Sequence, residues 1–293
     1  MKVNVLDITN TVSQDEVDAG RLQENFEISV EEGKKVTLSE AFSTELRTDL
    51  IKLAVASSRA NRRQAYGSRA HVGKRAPMAG MKDSVEWWGK GRGVSRIMRR
   101  TGQSRAAQNP HTKGGRRAHG PKVEKNWGRK LNLKERRIAR DSALAATTSV
   151  ETVSSRGHRF SEEISSLPIV LGNYAEVRDG KTEEFNIETF NHGSATRKVI
   201  AIFNEIGLGD DLNRARNGRN IRAGKATMRG RVHKTPKSIL LVVKEKSGLA
   251  QAARNLPGVD VVAARDLCAE DLAPGGDIGR LTVFTKDAVE ALN

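Results

Sequence analysis

Residues 238–243 have the sequence SILLVV, a continuous apolar run that decides the fold. A strand with one solvated face alternates apolar and polar residues, whereas a strand covered on both faces is apolar throughout. The run is therefore predicted to be a fully buried strand at the centre of a sheet.

On either side of this run, segments with strand patterns alternate with segments of helical periodicity. The predicted strands are residues 2–7, 27–30, 36–38, 167–171, 259–263 and 281–284. The predicted helices are residues 38–56, 132–154, 195–206, 247–255 and 286–292. Because this alternation is typical of strands joined by crossover helices, we predict an α/β fold with a largely parallel sheet flanked by helices.

Two of the predicted helices carry more detailed signals. The first has Ser39 as a possible N-cap and an apolar stripe made of Phe42, Leu46, Leu50, Leu53 and Ala54. In the second, Asn132 and Glu135 have the spacing of a capping box, and the predicted apolar face is Leu133, Ile138, Leu144 and Ala145. Both stripes are expected to face the core.

The positive charge of the chain is concentrated in one segment, residues 58–130. This segment holds 20 Lys and Arg against three acids, whereas the rest of the 293-residue chain holds 31 bases and 32 acids. It also contains 11 of the 27 glycines and all three tryptophans. We therefore predict one globular domain, residues 1–57 with 131–293, into which residues 58–130 are inserted as a long basic loop.

The composition of the inserted segment favours RNA binding over a solvated linker. It has almost no helical or strand periodicity and little apolar area to offset the entropy of an ordered chain. Arg and Lys neutralise phosphates, while exposed aromatic rings such as Trp87, Trp88 and Trp127 stack on unpaired bases. A linker needs neither feature, so we expect this segment to become ordered on RNA.

A second basic stretch covers residues 213–237. It has nine bases and no acid, and glycines lie beside cations in RAGK at 222–225 and in RGR at 229–231. Charge runs are often only solvated faces, but this glycine spacing predicts a loop pressed against phosphates.

No group of residues has the pattern of a catalytic or metal site. Around Gly224, Arg219 replaces the first glycine of a P-loop and Ala226 replaces its hydroxyl residue. The six histidines are not paired at metal-ligand spacing. We expect no catalytic residue, no cofactor and no metal.

The remaining sequence signals concern the compartment. Cys268 is the only cysteine, so it forms no internal disulfide and is expected to be a small buried hydrophobe. Residues 1–10 lack the apolar core of a signal peptide, and runs such as 239–243 are far too short to cross a bilayer. We expect a soluble cytoplasmic protein with no membrane partner and no homo-oligomer.

A series of short motifs lies in a fixed order along most of the chain, led by GGRRAH at 114–119 and PKVEK at 121–125. The others are PMAG at 77–80, GRG at 91–93, KERR at 134–137, SALAA at 142–146, RGH at 156–158, RAGK at 222–225, ARNLPG at 253–258, LAPGG at 272–276 and GRLTVFT at 279–285. Each is weak alone, but the ordered set resembles the fourth large-subunit ribosomal protein family in its archaeal form. Residues 24–35 and 182–194 diverge from the family pattern, as do Gly120, Ala226 and Thr227.

The resemblance implies a structural protein of the large ribosomal subunit that binds ribosomal RNA, supports assembly and extends its loop toward the polypeptide exit tunnel. The implied partners are large-subunit ribosomal RNA, neighbouring proteins including the other protein of the tunnel constriction, and the nascent peptide near the loop tip. The residues expected to contact RNA are Arg59, Arg62, Arg63, Arg69, Lys74, Arg75, Trp87, Trp88, Lys90, Arg92, Arg96, Arg99, Arg100, Arg105, Lys113, Arg116, Arg117, His119, Lys122, Arg222, Lys225, Arg229 and Arg231.

Two other functions remain open at this point. One is a free RNA-binding regulator, and the other is an enzyme acting on nucleic acid, such as a nuclease. The missing metal and acid–base clusters count against the enzyme, while a loop too large to order alone favours a subunit protein over a regulator.

Overall fold

Strands and helices alternate along the chain in the computed structural model, which describes residues 1–17, 21–68, 85–107, 109–111, 118–161, 164, 166–178, 181–190 and 195–292, with backbone alone at 13–17 and 21–25. The strands are β1 (Lys2–Val17), β2 (Arg21–Thr37), β3 (Val85–Trp87), β4 (Met98–Arg100), β5 (Ile169–Arg178), β6 (Lys181–Asn186), β7 (Asn220–Ile221), β8 (His233–Lys234), β9 (Leu240–Val243), β10 (Asp260–Ala263) and β11 (Thr282–Thr285). The helices are α1 (Thr48–Asn61), α2 (Leu133–Ala146), α3 (Val150–Ser155), α4 (Ala195–Glu205), α5 (Gly209–Asn217), α6 (Gly248–Ala253), α7 (Ala269–Leu272) and α8 (Lys286–Leu292).

The main sheet has seven strands in the order β10-β9-β11-β5-β1-β2, with β6 also paired to β5. Strands β10, β9, β11, β5 and β1 are parallel to one another, whereas β2 pairs antiparallel with β1 and β6 pairs antiparallel with β5. The predicted α/β fold with a largely parallel sheet is therefore confirmed.

Both faces of the sheet are covered, as the SILLVV run predicts. All four residues of β9 are buried. Leu241 and Val243 pack into one apolar cluster with Ile202 of α4, whereas Leu240 and Val242 belong to a second cluster on the opposite face. Each such side chain contributes about 1.5–3 kcal/mol on burial, which makes the centre of the sheet the main source of stability.

The chain divides into two compact units. The first consists of residues 1–58 and 130–293 and contains the seven-stranded sheet. The second consists of residues 59–129, and its described part contains the two-stranded ladder of β3 and β4.

The helix predicted at 38–56 is wrong in its first half. A short 3-10 turn at Glu40–Ser43 is followed by extended chain, and α1 begins only at Thr48. The backbone N–H of Arg47 donates to Ser142 Oγ at 2.6 Å, and this hydroxyl donates to the carbonyl of Glu45 at 2.9 Å. These bonds from α2 hold the chain out of the helix, and Leu46 and Leu53 of the predicted stripe are exposed.

The helix predicted at 132–154 is divided into α2 and α3. The capping box of Asn132 and Glu135 is present as predicted, and the Glu135 carboxylate accepts the N–H of Asn132 at 3.2 Å. At the break, Thr147 and Thr148 donate their hydroxyls back to helix carbonyls, and Ser149 caps α3. Side chains of this type compete with helix bonds, which explains the break.

The buried face of α2 differs from the prediction, because Leu133 and Ile138 are exposed. Leu144 and Ala145 of the predicted face are buried, together with the small residues Ala139, Ser142, Ala143 and Ala146. A helix that approaches its neighbours through alanines leaves its larger residues on the outside.

Two further expectations are corrected. The predicted strands at 2–7, 27–30 and 36–38 are parts of the long antiparallel pair β1 and β2. Cys268 is exposed at the start of α7, with its sulfur 3.0 Å from Asp271 Oδ2. Partial desolvation and the Asp271 carboxylate raise the pKa of its thiol to about 11, so the thiol is protonated at neutral pH.

Candidate nucleic-acid interface

The inserted unit begins and ends in two chain segments, 59–68 and 118–129, that run beside each other. The N–H of Ser68 donates to the carbonyl of Pro121 at 3.1 Å, and the N–H of Arg129 donates to Asn61 Oδ1 at 3.1 Å. Arg59, Arg62 and Arg63 on the first segment are exposed, as are His119 and Lys122 on the second. This list contains five of the predicted RNA contacts, all at the solvent surface.

An aromatic pair also lies within these two segments. The rings of Tyr66 and Trp127 are 4.6 Å apart between centroids, and the Lys125 ammonium lies 5.4 Å from the Trp127 centroid. Tyr66 is 56% exposed, so it retains a free ring surface. The list of predicted contact residues omits all three, although Trp127 is one of the three tryptophans whose position in the basic segment suggests base stacking.

Further along the insertion, Trp88 is occupied by the chain's own arginines. The guanidinium groups of Arg92 and Arg99 lie 4.5 Å and 5.2 Å from its ring centroid. Arg99 is fixed further by donating to the Ser95 carbonyl at 3.3 Å and to the carbonyl of Ser104. The turn that brings these groups together contains Gly91 and Gly93, both with positive φ, a conformation that other residues adopt only with strain.

Trp87 has the opposite environment although it is the neighbouring residue. It pairs with Met98 in the β3–β4 ladder, and 65% of its surface is exposed. A strand places successive side chains on opposite faces, which explains why one indole is covered and the other is open. Trp87 is thus the exposed indole of this ladder.

The second basic stretch is not a single loop, because it begins inside α5 and closes on itself. The N–H of Arg222 donates to the Val232 carbonyl at 2.8 Å, and its Nε donates to the His233 carbonyl at 3.0 Å, beside the short β7–β8 pair. The side chains of Lys225, Arg229 and Arg231 are exposed. The stretch therefore presents its cations from a hydrogen-bonded projection.

A buried carboxylate joins the two ends of this projection. Asp211 has no exposed surface and accepts from Arg214 Nε at 2.9 Å, from Ser238 Oγ at 2.5 Å and from the N–H of Arg159 at 3.0 Å. Arg214 also donates to the Lys237 carbonyl at 2.8 Å. Since residue 214 opens the basic stretch and residue 237 ends it, these contacts form a clasp at its foot.

The charge of Asp211 is fixed by the same contacts. Burial alone would raise the pKa of this carboxyl, but hydrogen bonds from His158 and Arg214 outweigh burial and hold it well below its usual range. His158 is itself buried, with Nδ1 3.2 Å from Asp211 Oδ2. The carboxylate stays ionised at any physiological pH, so it anchors cations continuously.

An ion pair between the buried Arg280 and the half-buried Asp260 connects the clasp to the sheet. Arg280 is 1% exposed and donates to Asp260 Oδ2 at 2.6 Å and to the carbonyl of Ser238 at 2.9 Å. Lys237 contacts the same carboxylate at 2.7 Å. Burial would raise the pKa of Asp260, but Arg280 and Lys237 lower it, so both ends of the network remain charged.

Most of the predicted RNA contacts fall on described residues and lie at the surface. Those that are exposed are Arg59, Arg62, Arg63, Trp87, Lys90, Arg92, Arg96, Arg105, His119, Lys122, Arg222, Lys225, Arg229 and Arg231. Trp88, Arg99 and Arg100 are half-buried. Arg69, Lys74, Arg75, Lys113, Arg116 and Arg117 lie outside the described residues.

Two other kinds of site are absent from the described part of the chain. No helix there is both long and apolar enough to cross a bilayer. No group of three or more His, Cys, Asp or Glu residues there could hold a metal ion.

Comparison with known proteins identifies the family. Residues 36–293 match the model of the ribosomal protein L4/L1 family. The chain is 44% identical over 255 residues to the large ribosomal subunit protein uL4 of Methanococcoides burtonii, covering 87% of this chain and 91% of that protein. It is 43% identical to the uL4 protein of Methanocaldococcus jannaschii over 267 residues, or 91% of this chain and 96% of that one. Both relatives are archaeal, in agreement with the archaeal form of the motifs, and the chain belongs to the ribosomal protein L4/L1 family.

Proposed function

We propose that this protein is a structural constituent of the large ribosomal subunit, that residues 58–130 and 213–237 bind large-subunit ribosomal RNA, and that the inserted loop reaches toward the polypeptide exit tunnel. Residues 1–57 and 131–293 act as the globular domain that carries the loop. The contact residues are those predicted from the sequence, to which we add Tyr66, Lys125 and Trp127.

The coarser part of this assignment rests on the family. Members are ribosomal proteins, so the chain is a non-enzymatic protein of the ribosome. The relatives are named as large-subunit proteins, and we assign this chain to the same subunit. The proposal also includes that the protein supports subunit assembly and that its loop reaches toward the exit tunnel. There it would contact the other protein of the tunnel constriction and the nascent peptide.

One observation carries the RNA assignment, namely that cations crowd together at the surface. In residues 213–237 the stretch has nine bases and no acid, and Arg222, Lys225, Arg229 and Arg231 are all exposed. Like charges held this close repel one another unless a polyanion neutralises them. Each phosphate that binds releases counterions, which makes such a surface a strong and salt-sensitive RNA ligand.

The test is the sedimentation of the native protein in a sucrose gradient of cell lysate at moderate salt. We expect it to migrate with the large subunit and with complete ribosomes. A protein found mainly at the top of the gradient would contradict the proposal and favour the free regulator instead.

A further inference from the structure

Strand β2 is an open edge of the main sheet. It is the last strand in the sheet order, paired with β1 on one side, and no strand among the described residues pairs with its other side. At 17 residues it is far longer than the four-residue β10 at the opposite end of the sheet. Long open edges attract a further strand, and proteins use this as a docking mode.

A cleft of about 200 Å³ opens beside this edge. Leu6, Val30 and Ile164, which pack partly buried against the main apolar cluster, form its apolar part. Glu32 of β2 and Glu205 at the end of α4 also line it and are exposed. The cleft is thus an apolar surface with two carboxylates at its border.

The charge of the cleft is opposite to that of the RNA-binding segments. No described Lys or Arg lines it, and residues 26–33 of β2 contain three acids and no base. In the described part of the chain Glu32 accepts from Asn4 Nδ2 at 2.8 Å, and neither Glu32 nor Glu205 has an ion-pair partner. Phosphates would be repelled here, whereas a Lys or Arg could lay its aliphatic stem on the apolar wall and its charged head on a carboxylate.

We propose that the open edge of β2 and this cleft form a docking site for an extended, basic segment of a neighbouring protein, with one Lys or Arg side chain inserted between Glu32 and Glu205. The segment adds a strand to β2 through backbone hydrogen bonds, and the cleft selects the cation. Residues 21–35 of β2 and five of the residues that line the cleft lie outside the stretch that matches the family model, residues 36–293. This inference depends on the proposed function in one respect, namely that the neighbouring protein belongs to the ribosome.

The experiment uses the full chain in its own particle. In one variant, the photoreactive residue p-benzoylphenylalanine replaces Ser29, which is exposed on β2. In a second variant it replaces Arg265, which is exposed after β10 at the other end of the sheet. Large subunits are purified and irradiated, and the cross-linked peptide or nucleotide is sequenced. The share of protein that enters the subunit is measured first, which tests the proposed function separately.

We expect position 29, and not position 265, to cross-link to a Lys- and Arg-rich segment of another protein. The E32Q/E205Q variant should lower this yield at least about three-fold, since two exposed ion pairs are lost. The matched variant E183Q/E184Q, which removes the same charge from β6, should leave it unchanged.

Four outcomes would overturn the inference while subunit entry is normal: cross-linking to RNA, cross-linking to a second copy of this chain, a yield insensitive to E32Q/E205Q, or no cross-link. A chain that never enters the subunit would overturn the proposed function together with this inference.

Discussion

At the scale of single residues, the three tryptophans offer different surfaces to a ligand. The ring of Trp88 is covered by Arg92 and Arg99, and that of Trp127 by Tyr66 and Lys125. Among the described residues, no aromatic ring or cation stacks on Trp87, which is 65% exposed. Composition alone does not distinguish the three tryptophans. Only the structure shows that one indole is open to a ligand and that two are covered by the chain's own side chains.

Replacing Trp87 by alanine should therefore weaken binding to deproteinised large-subunit ribosomal RNA by about 1–3 kcal/mol, the usual effect of losing one base stacked on an aromatic ring. Because the indole carries no charge, the slope of log affinity against log salt should not change. A filter-binding titration at several salt concentrations measures both quantities.

The matched control is Trp87→Phe, which keeps a ring and should retain most of the affinity. If Trp87→Ala binds RNA with wild-type affinity, or if the alanine and phenylalanine variants lose affinity equally, Trp87 does not stack on a base.

At the scale of elements, the accuracy of the prediction from sequence differs from one element to the next. The apolar run that contains β9 and the helix α8 are found close to where periodicity places them, because burial on both faces leaves a strong pattern. The errors occur where contacts distant in sequence decide. Ser142 pulls the chain out of the predicted first helix, and alanines rather than Ile138 bury α2.

The basic stretch shows the same limit at the candidate site. Its charge is visible in the sequence, but its closure by Asp211 depends on His158 and Ser238, which lie 53 and 27 residues away. Asp211 is adjacent to Asp210 in the sequence, where both appear as counter-charges for nearby cations. Only the fold shows that Asp211 is buried and that Asp210 is exposed.

Replacing Asp211 by alanine should lower the free energy of unfolding by about 3–5 kcal/mol, since it leaves the cations around it without a buried partner. The matched control is Asp210→Ala, which removes the same charge from an exposed position and should change it by no more than about 0.5 kcal/mol. Urea titration followed by circular dichroism measures the difference. Equal effects in the two variants would contradict the clasp.

The depressed pKa of Asp211 adds a pH dependence to the same prediction. A carboxyl with a folded pKa below its unfolded value of about 3.9 stabilises the fold above that value, and the stabilisation is lost as pH falls toward the folded pKa. The stability gap between wild type and Asp211→Ala should therefore be full at pH 7 and shrink below about pH 4. A gap that is constant down to pH 2 would exclude this linkage.

At the scale of the whole molecule, the apolar core and the excess positive charge belong to different parts of the chain. Among the described residues, the two apolar clusters that hold the sheet together contain none from 68–122. This segment instead holds 14 bases and two acids, and removing it lowers the net charge from +16 to +4. The charge that would make a compact fold repel itself is thus kept apart from the apolar core.

Deletion of residues 68–122 should consequently leave a cooperatively folding protein that binds RNA weakly. The ends to be joined already meet, because Ser68 N–H bonds to the Pro121 carbonyl and Gly67 approaches the Val123 side chain. A two-glycine link between residues 67 and 123 should shift the melting temperature by no more than about 4 °C, since about 1 kcal/mol corresponds to 2–4 °C at this size. Calorimetry tests folding, and RNA titrations at several salt concentrations test whether affinity and salt slope both fall. A broad, non-cooperative transition would show that the globular part depends on the insertion for folding. A sharp transition with unchanged RNA affinity would show that the deleted segment does not contain the RNA-binding surface.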